Sequence, residues 1–93
     1  MKEKIKQILL QKLAAQYVDV KDESAQHAGH SEAIKSGGGH YAVVVVSSRF
    51  AGKKLLERHR MIYHALVDLK TDIHALAIQA LTPKEWKGRG EER

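Results

Sequence analysis

Tyr41-Ala42-Val43-Val44-Val45-Val46 is nearly continuous β-branched sequence, and its reading decides the fold. An apolar run of this length, closed by turn residues, marks a strand buried on both faces. Immediately downstream, Ser47-Ser48-Arg49-Phe50-Ala51-Gly52 breaks the pattern and turns the chain. A strong helix is expected from about residue 53 to 69, with Leu55, Ile62, Leu66 and Leu69 on one face. Residues 48–54 could add a short helical turn of their own. Ile73-His74-Ala75-Leu76-Ala77-Ile78-Gln79-Ala80 reads as another strand. Thr82-Pro83-Lys84-Glu85 then supplies an N-cap, a proline at the first helical position and a glutamate two residues on, which opens a short last helix carrying Trp86.

Upstream of the valine run the signals differ. Ile5, Ile8, Leu9 and Leu13 recur at i, i+3, i+4 and i+8, the stripe of an amphipathic helix over about residues 2–15. Tyr17-Val18-Asp19-Val20-Lys21-Asp22 alternates apolar and polar, as a half-buried strand does. Residues 23–40 read as one long loop ending in Gly37-Gly38-Gly39. Loops of that length in compact domains tend to be functional, so this is the first place to look for a site. The expected order is α-β-β-α-β-α, an α+β sandwich of helices on one face of a three-stranded mixed sheet. The second and third strands, joined through a helix, should pair parallel by a right-handed crossover. One domain over residues 1–87 is expected, with a charged, disordered tail over 88–93.

Composition narrows the function classes. The 93 residues are 43% hydrophobic and 29% charged, within the range of a single globular domain and too apolar for a disordered chain. No run approaches the roughly 18–20 apolar residues of a membrane span, and the charged N-terminal segment lacks a signal-peptide apolar stretch. The absence of cysteine rules out a disulfide framework, a thiolate nucleophile and a thiolate ligand, and favours the cytoplasm or an organelle matrix. Sixteen Lys and Arg against eleven Asp and Glu leave a net charge of +5, which raises the prospect of nucleic acid or an acidic protein as partner.

Catalytic motifs are missing. There is no Gly-x-Ser-x-Gly, and Gly37-Gly38-Gly39 lacks the lysine and hydroxyl of a phosphate-binding loop, so an enzyme is not expected. Histidine is the unusual residue, six in this short chain. His27 and His30 lie in the long loop, where neutral imidazoles could reach a metal; alone they fall short of a complete zinc site and could equally be solvated. His74 lies one residue into a strand, expected on the face of Leu76 and Ile78, and reads either as a ligand or as a half-buried histidine bonded to backbone. His40 opens the valine strand and could face either way. His59 and His64 read as helix-surface residues. Arg49, Lys53, Lys54, Arg58 and Arg60 gather on one turn and one helix, a possible phosphate-tracking surface or a solvated face.

Several blocks together resemble the BolA family. They are Asp22-Glu23-Ser24 with His27 beyond, Gly39-His40-Tyr41, Val45-Val46-Ser47, Phe50-x-Gly52, Arg58-His59-Arg60, Ile73-His74-Ala75-Leu76 and Thr82-Pro83-x-Glu85-Trp86. The likeness runs from about residue 2 to 87. It implies the BolA fold, similar to a type II KH domain, and a partner: a monothiol glutaredoxin of the Cys-Gly-Phe-Ser type. The resemblance further implies a heterodimer sharing a [2Fe-2S] cluster, with glutaredoxin cysteine and glutathione thiol on one side and BolA residues on the other. The BolA ligands would be His74 and a loop histidine, His27 or alternatively His30, so the chain resembles the histidine-loop branch. Histidine ligation raises a cluster's potential and makes it labile to protonation, because each imidazole must be neutral to bind. The family also contains members described as DNA-binding transcriptional regulators of cell shape and stress responses. In that second expectation Arg49, Lys53, Lys54, Arg58 and Arg60 would meet duplex DNA. Such regulators often carry a longer C-terminal tail than follows Trp86 here. Alone, the chain is expected to be a monomer without cofactor.

Overall fold

The valine strand lies at the centre of the sheet, buried on its core face but only half-buried at Ala42 and Val44 on the other, not on both faces as its composition suggests. A computed structural model describes residues 1–24 and 39–90. Its elements are helix α1 (Lys2–Lys12), strands β1 (Tyr17–Asp22) and β2 (Gly39–Val46), helix α2 (Leu55–Ala65), strand β3 (Ile73–Leu81) and helix α3 (Pro83–Gly90). Single 3-10 turns at Ser48–Phe50 and Val67–Leu69 flank α2. The sheet order is β1-β2-β3, with β1 antiparallel and β3 parallel to β2. This is the α+β fold expected from the sequence.

Alternation sorts the sheet into two faces. Val18 and Val20 of β1, Tyr41, Val43 and Val45 of β2 and Ala80 of β3 join one core with Ile5 and Leu9 of α1 and Ile62 and Ala65 of α2. Tyr17, Asp19, Ala42, Val44, Ala77 and Gln79 therefore point the other way. The last helix departs from the expected single layer of helices. Its Trp86 stacks on Tyr17 with ring centroids 4.9 Å apart and planes 21° apart, on the face opposite the core. Val46, the cross-strand neighbour of Tyr17, is fully buried at that end of the sheet.

Three boundaries also differ. The first helix stops at Lys12 rather than near residue 15, because Ala14 takes a left-handed φ of 48° and Ser47 intervenes. The Ser47 hydroxyl, fully buried, donates to the Leu13 carbonyl at 2.7 Å, and Arg49 donates to the Lys12 carbonyl at 3.0 Å. Carbonyls left over at the helix end are thus satisfied from the turn after β2. The helix expected over 53–69 is α2 followed by a separate 3-10 turn, and Leu55, placed on the core face by spacing, is 65% exposed. Arg58 takes the buried position instead. The last helix runs past the expected domain end at residue 87 as far as Gly90; the remainder of the expected tail, 91–93, lies outside the described residues.

Candidate functional site

The sites expected from the sequence fall at two places. At one end of the sheet, β3 begins beside the start of β2. Gly39 pairs with Ile73, but His40 pairs with Ala75, so β3 carries one extra residue at His74. This is a β-bulge, which re-aims a side chain and often lies near a functional site. Simple alternation would have put His74 on the core side with Leu76 and Ile78. Because of the bulge, Ile73 packs against the core and His74 is exposed. The half-buried structural reading of His74 is therefore excluded.

Around His74 the backbone is firmly held. The Gly39 amide donates to the Asp72 carbonyl at 3.0 Å, and the Glu23 amide donates to the His40 carbonyl at 2.7 Å. Ser24 accepts from the His40 amide through its hydroxyl at 3.1 Å, while its own amide donates to an Asp22 carboxylate oxygen at 2.9 Å. That last bond holds the Asp22 carboxyl below the usual carboxylate range. So Asp22-Glu23-Ser24 ties the end of β1 to the start of β2. A larger residue at Gly39 would force the Tyr41 ring aside, because a Cβ would fall 2.6 Å from it. Burial pushes the Tyr41 hydroxyl up, with Asp22 and Asp72 adding to it. The His40 ring stands 5.0 Å from the His74 ring, tilted by 49°. Sequence reasoning left His40 undecided; the register beyond the bulge is what brings it beside His74.

His27 and His30 lie outside the described residues. Among the described residues no three His, Cys, Asp or Glu side chains gather to hold a metal. The donor set present is thus an exposed imidazole, of a chemistry that suits iron or zinc, without a closed coordination shell. That does not fit a resident metal held by the described residues alone.

The second place is the basic turn and helix, and here one residue must be withdrawn from the phosphate-tracking set. Arg58 is 8% exposed. Its Nε donates to the Lys53 carbonyl at 2.9 Å, and Nη1 donates to the Ala80 carbonyl at 3.1 Å and to Glu85 at 2.7 Å. Its guanidinium also lies 6.0 Å above the centre of the buried Phe50 ring. Glu85 in turn accepts from the Thr82 amide at 2.8 Å, and the Thr82 hydroxyl accepts from the Glu85 amide at 3.2 Å, forming the expected capping box. Arg58 holds the Glu85 carboxyl down at about 2, with the Thr82 amide helping. Arg49, Lys53, Lys54 and Arg60 remain exposed.

The outer face of the sheet between these places forms an open groove of about 550 Å³, with Ala42, Val44 and Ala77 on its floor and Asp19, Lys21 and Trp86 around it. Among the described residues no helix is long and apolar enough to cross a membrane.

Fold and site define a class: a small α+β domain presenting one exposed strand histidine at a bulge. The family model described as BolA-like protein matches residues 9–85. The chain belongs to the BolA-like family. It is 40% identical over 92 residues to the DNA-binding transcriptional regulator BolA of Escherichia coli (strain K12), spanning 95% of this chain and 81% of that one. It is 42% identical over 81 residues to BolA-like protein 1 of Mus musculus, spanning 85% of this chain and 56% of the mouse protein. Its structure is similar to a bol-like protein from Babesia bovis, with a TM-score of 0.79 at 29% identity over 97% of this chain and 93% of the other. It is likewise similar to the BolA domain of SufE1 from Arabidopsis thaliana, with a TM-score of 0.76 at 41% identity over 90% and 93%.

Proposed function

We propose that this chain is a BolA-type adaptor that binds a monothiol glutaredoxin of the Cys-Gly-Phe-Ser type and supplies histidine to a [2Fe-2S] cluster shared with it. The observation that carries the reading is the bulge at His74, which turns an imidazole out of the core onto an exposed strand end. His74 would bind one iron, with His27 or His30 as the second histidine; the glutaredoxin cysteine and glutathione would complete the set. When bound, the cluster would supply an exchangeable iron-sulfur unit for assembly, trafficking or iron sensing, in the cytoplasm or an organelle matrix.

The test is anaerobic reconstitution with such a glutaredoxin and glutathione, followed by visible absorption and circular dichroism. The glutaredoxin homodimer spectrum should convert to a distinct heterodimer spectrum on adding this chain, and His74→Ala should block the conversion. Because His74 is exposed and gives up only its contact with the His40 ring, that substitution should leave the chain folded, at a cost of no more than about 1.5 kcal/mol in unfolding free energy. An unchanged spectrum with the wild-type chain rejects the reading.

A second reading, DNA binding, is favoured by the name of the Escherichia coli relative. Here Arg49, Lys53, Lys54 and Arg60 would meet phosphates. On duplex DNA, Arg60→Ala should then lower the slope of log affinity against log salt by about 0.9, the counterions released by one phosphate contact. Salt-independent or absent binding rejects this reading.

A further inference from the structure

The bulge that exposes His74 creates a difficulty. An exposed side chain on an edge strand has several rotamers open to it, and holding it in one costs entropy. A ligand that must meet an iron at a fixed point needs that choice made beforehand. His40 is placed to make it. Its ring lies 5.0 Å from that of His74 at a tilt of 49°, a separation and inclination at which aromatic rings attract.

His40 is also the better-anchored partner of the two. It is half-buried on the central strand, its amide is held by the Ser24 hydroxyl, and its carbonyl is held by the Glu23 amide. It stands opposite Ala75, the residue that follows the bulge. On the other side of the bulge, the Gly39 amide is bonded to the Asp72 carbonyl. The two backbones that carry the rings are therefore fixed against each other, and the ring contact is what remains to orient His74.

We infer that His40 is a positioning residue: its ring, seated on β2, sets the orientation in which His74 presents its nitrogen to an iron. The inference rests on the reading of His74 as a cluster ligand. It gives Asp22-Glu23-Ser24 a purpose beyond closing the sheet, since that block holds the His40 backbone from both of its polar groups.

The experiment compares wild type with His40→Leu, which keeps bulk without a ring, and His40→Phe, which restores a ring. In the chain without cluster, three-bond NMR couplings report the His74 χ1 populations. In the reconstituted heterodimer, visible circular dichroism reports the ligand arrangement, and loss to a chelator reports its hold. His40→Leu should fold, average the His74 rotamers and alter the dichroism. Cluster loss should be about three- to tenfold faster, the effect expected of one aromatic pair. His40→Phe should return all three measurements toward wild type, which a merely structural role for bulk at this position would not produce. A single His74 rotamer and unchanged dichroism in His40→Leu would overturn the inference, as would a His40→Phe chain behaving like His40→Leu. Failure of the shared-cluster reading shows separately, as a wild-type chain that yields no heterodimer spectrum, and it would remove the inference with it.

Discussion

Arg58 sits in a motif whose charge suggests a partner, yet its hydrogen bonds all run inward. It joins the chain before α2, the end of β3 and the start of α3 through Lys53, Ala80 and Glu85. Arg58→Met keeps much of the volume and removes these bonds, leaving the Ala80 carbonyl without its guanidinium donor. The expected loss is about 1.5–3 kcal/mol in chemical denaturation, the range for hydrogen bonds to a charged group. Glu85 gives the same contact a pH signature. Its carboxyl is held at about 2 in the fold against 4.5 ordinarily. A depressed acid stabilises fully above its unfolded value and loses that contribution as pH falls through the folded one. The Arg58–Glu85 contact should therefore persist at neutral pH and fade between about 4.5 and 2. In Glu85→Gln, the part of the stability decline falling in that window should be reduced when unfolding is followed against pH. Gly52, with a φ of 75°, needs no side chain at the turn that brings Phe50 beneath Arg58.

At the scale of elements, the strands and most of the helix faces were legible: Ile5, Leu9 and Leu13 of the first stripe and Ile62, Leu66 and Leu69 of the second are all buried. β2 and β3 follow from their apolar runs, and the capping box at Thr82 and Glu85 fixes where α3 starts. The spacing misplaced only Leu55, which opens α2 and is 65% exposed. Periodicity also cannot foresee a bulge, so the face of His74 was misread although its exposure matters most. The bulge comes from the meeting of Gly39 with Ile73 across the sheet, information carried by no single stretch. The outward turn of α3 was hidden for the same reason: Trp86 finds Tyr17 from the opposite part of the chain. Trp86→Ala should cost about 1 kcal/mol for the stacked pair, before lost burial is added. Amide exchange in α3 should quicken more than exchange in α2, which is held by the main core.

For the molecule as a whole, the sheet separates two kinds of surface. One face is filled by α1, α2 and the core; the other is an open groove closed at one end by Trp86 and Tyr17. Residues from the blocks that resemble the family divide between these regions. Phe50, Arg58 and Glu85 form a clasp that Glu85 closes from the surface, while His40 and His74 meet at the far end of the sheet, where β3 begins. The sequence placed Arg58 among residues that could meet phosphates and His74 among candidate ligands; burial separates the two, since Arg58 is enclosed and His74 is exposed.

β3 is nine residues long and borders the sheet, with Leu76, Ile78 and Ala80 turning their backbone groups outward by alternation. An unguarded border of that length is a template on which another copy can polymerise. Two side chains of α2 stand over it: Tyr63 donates to the Leu76 carbonyl at 3.4 Å, and Arg58 to that of Ala80. The helix thus acts as a guard rail against aggregation as well as a layer of the core. Removing both guards in Tyr63→Phe with Arg58→Met should raise light scattering with protein concentration, beyond what Arg58→Met does at matched stability. Equal scattering from the two would mean that the border is protected by other means.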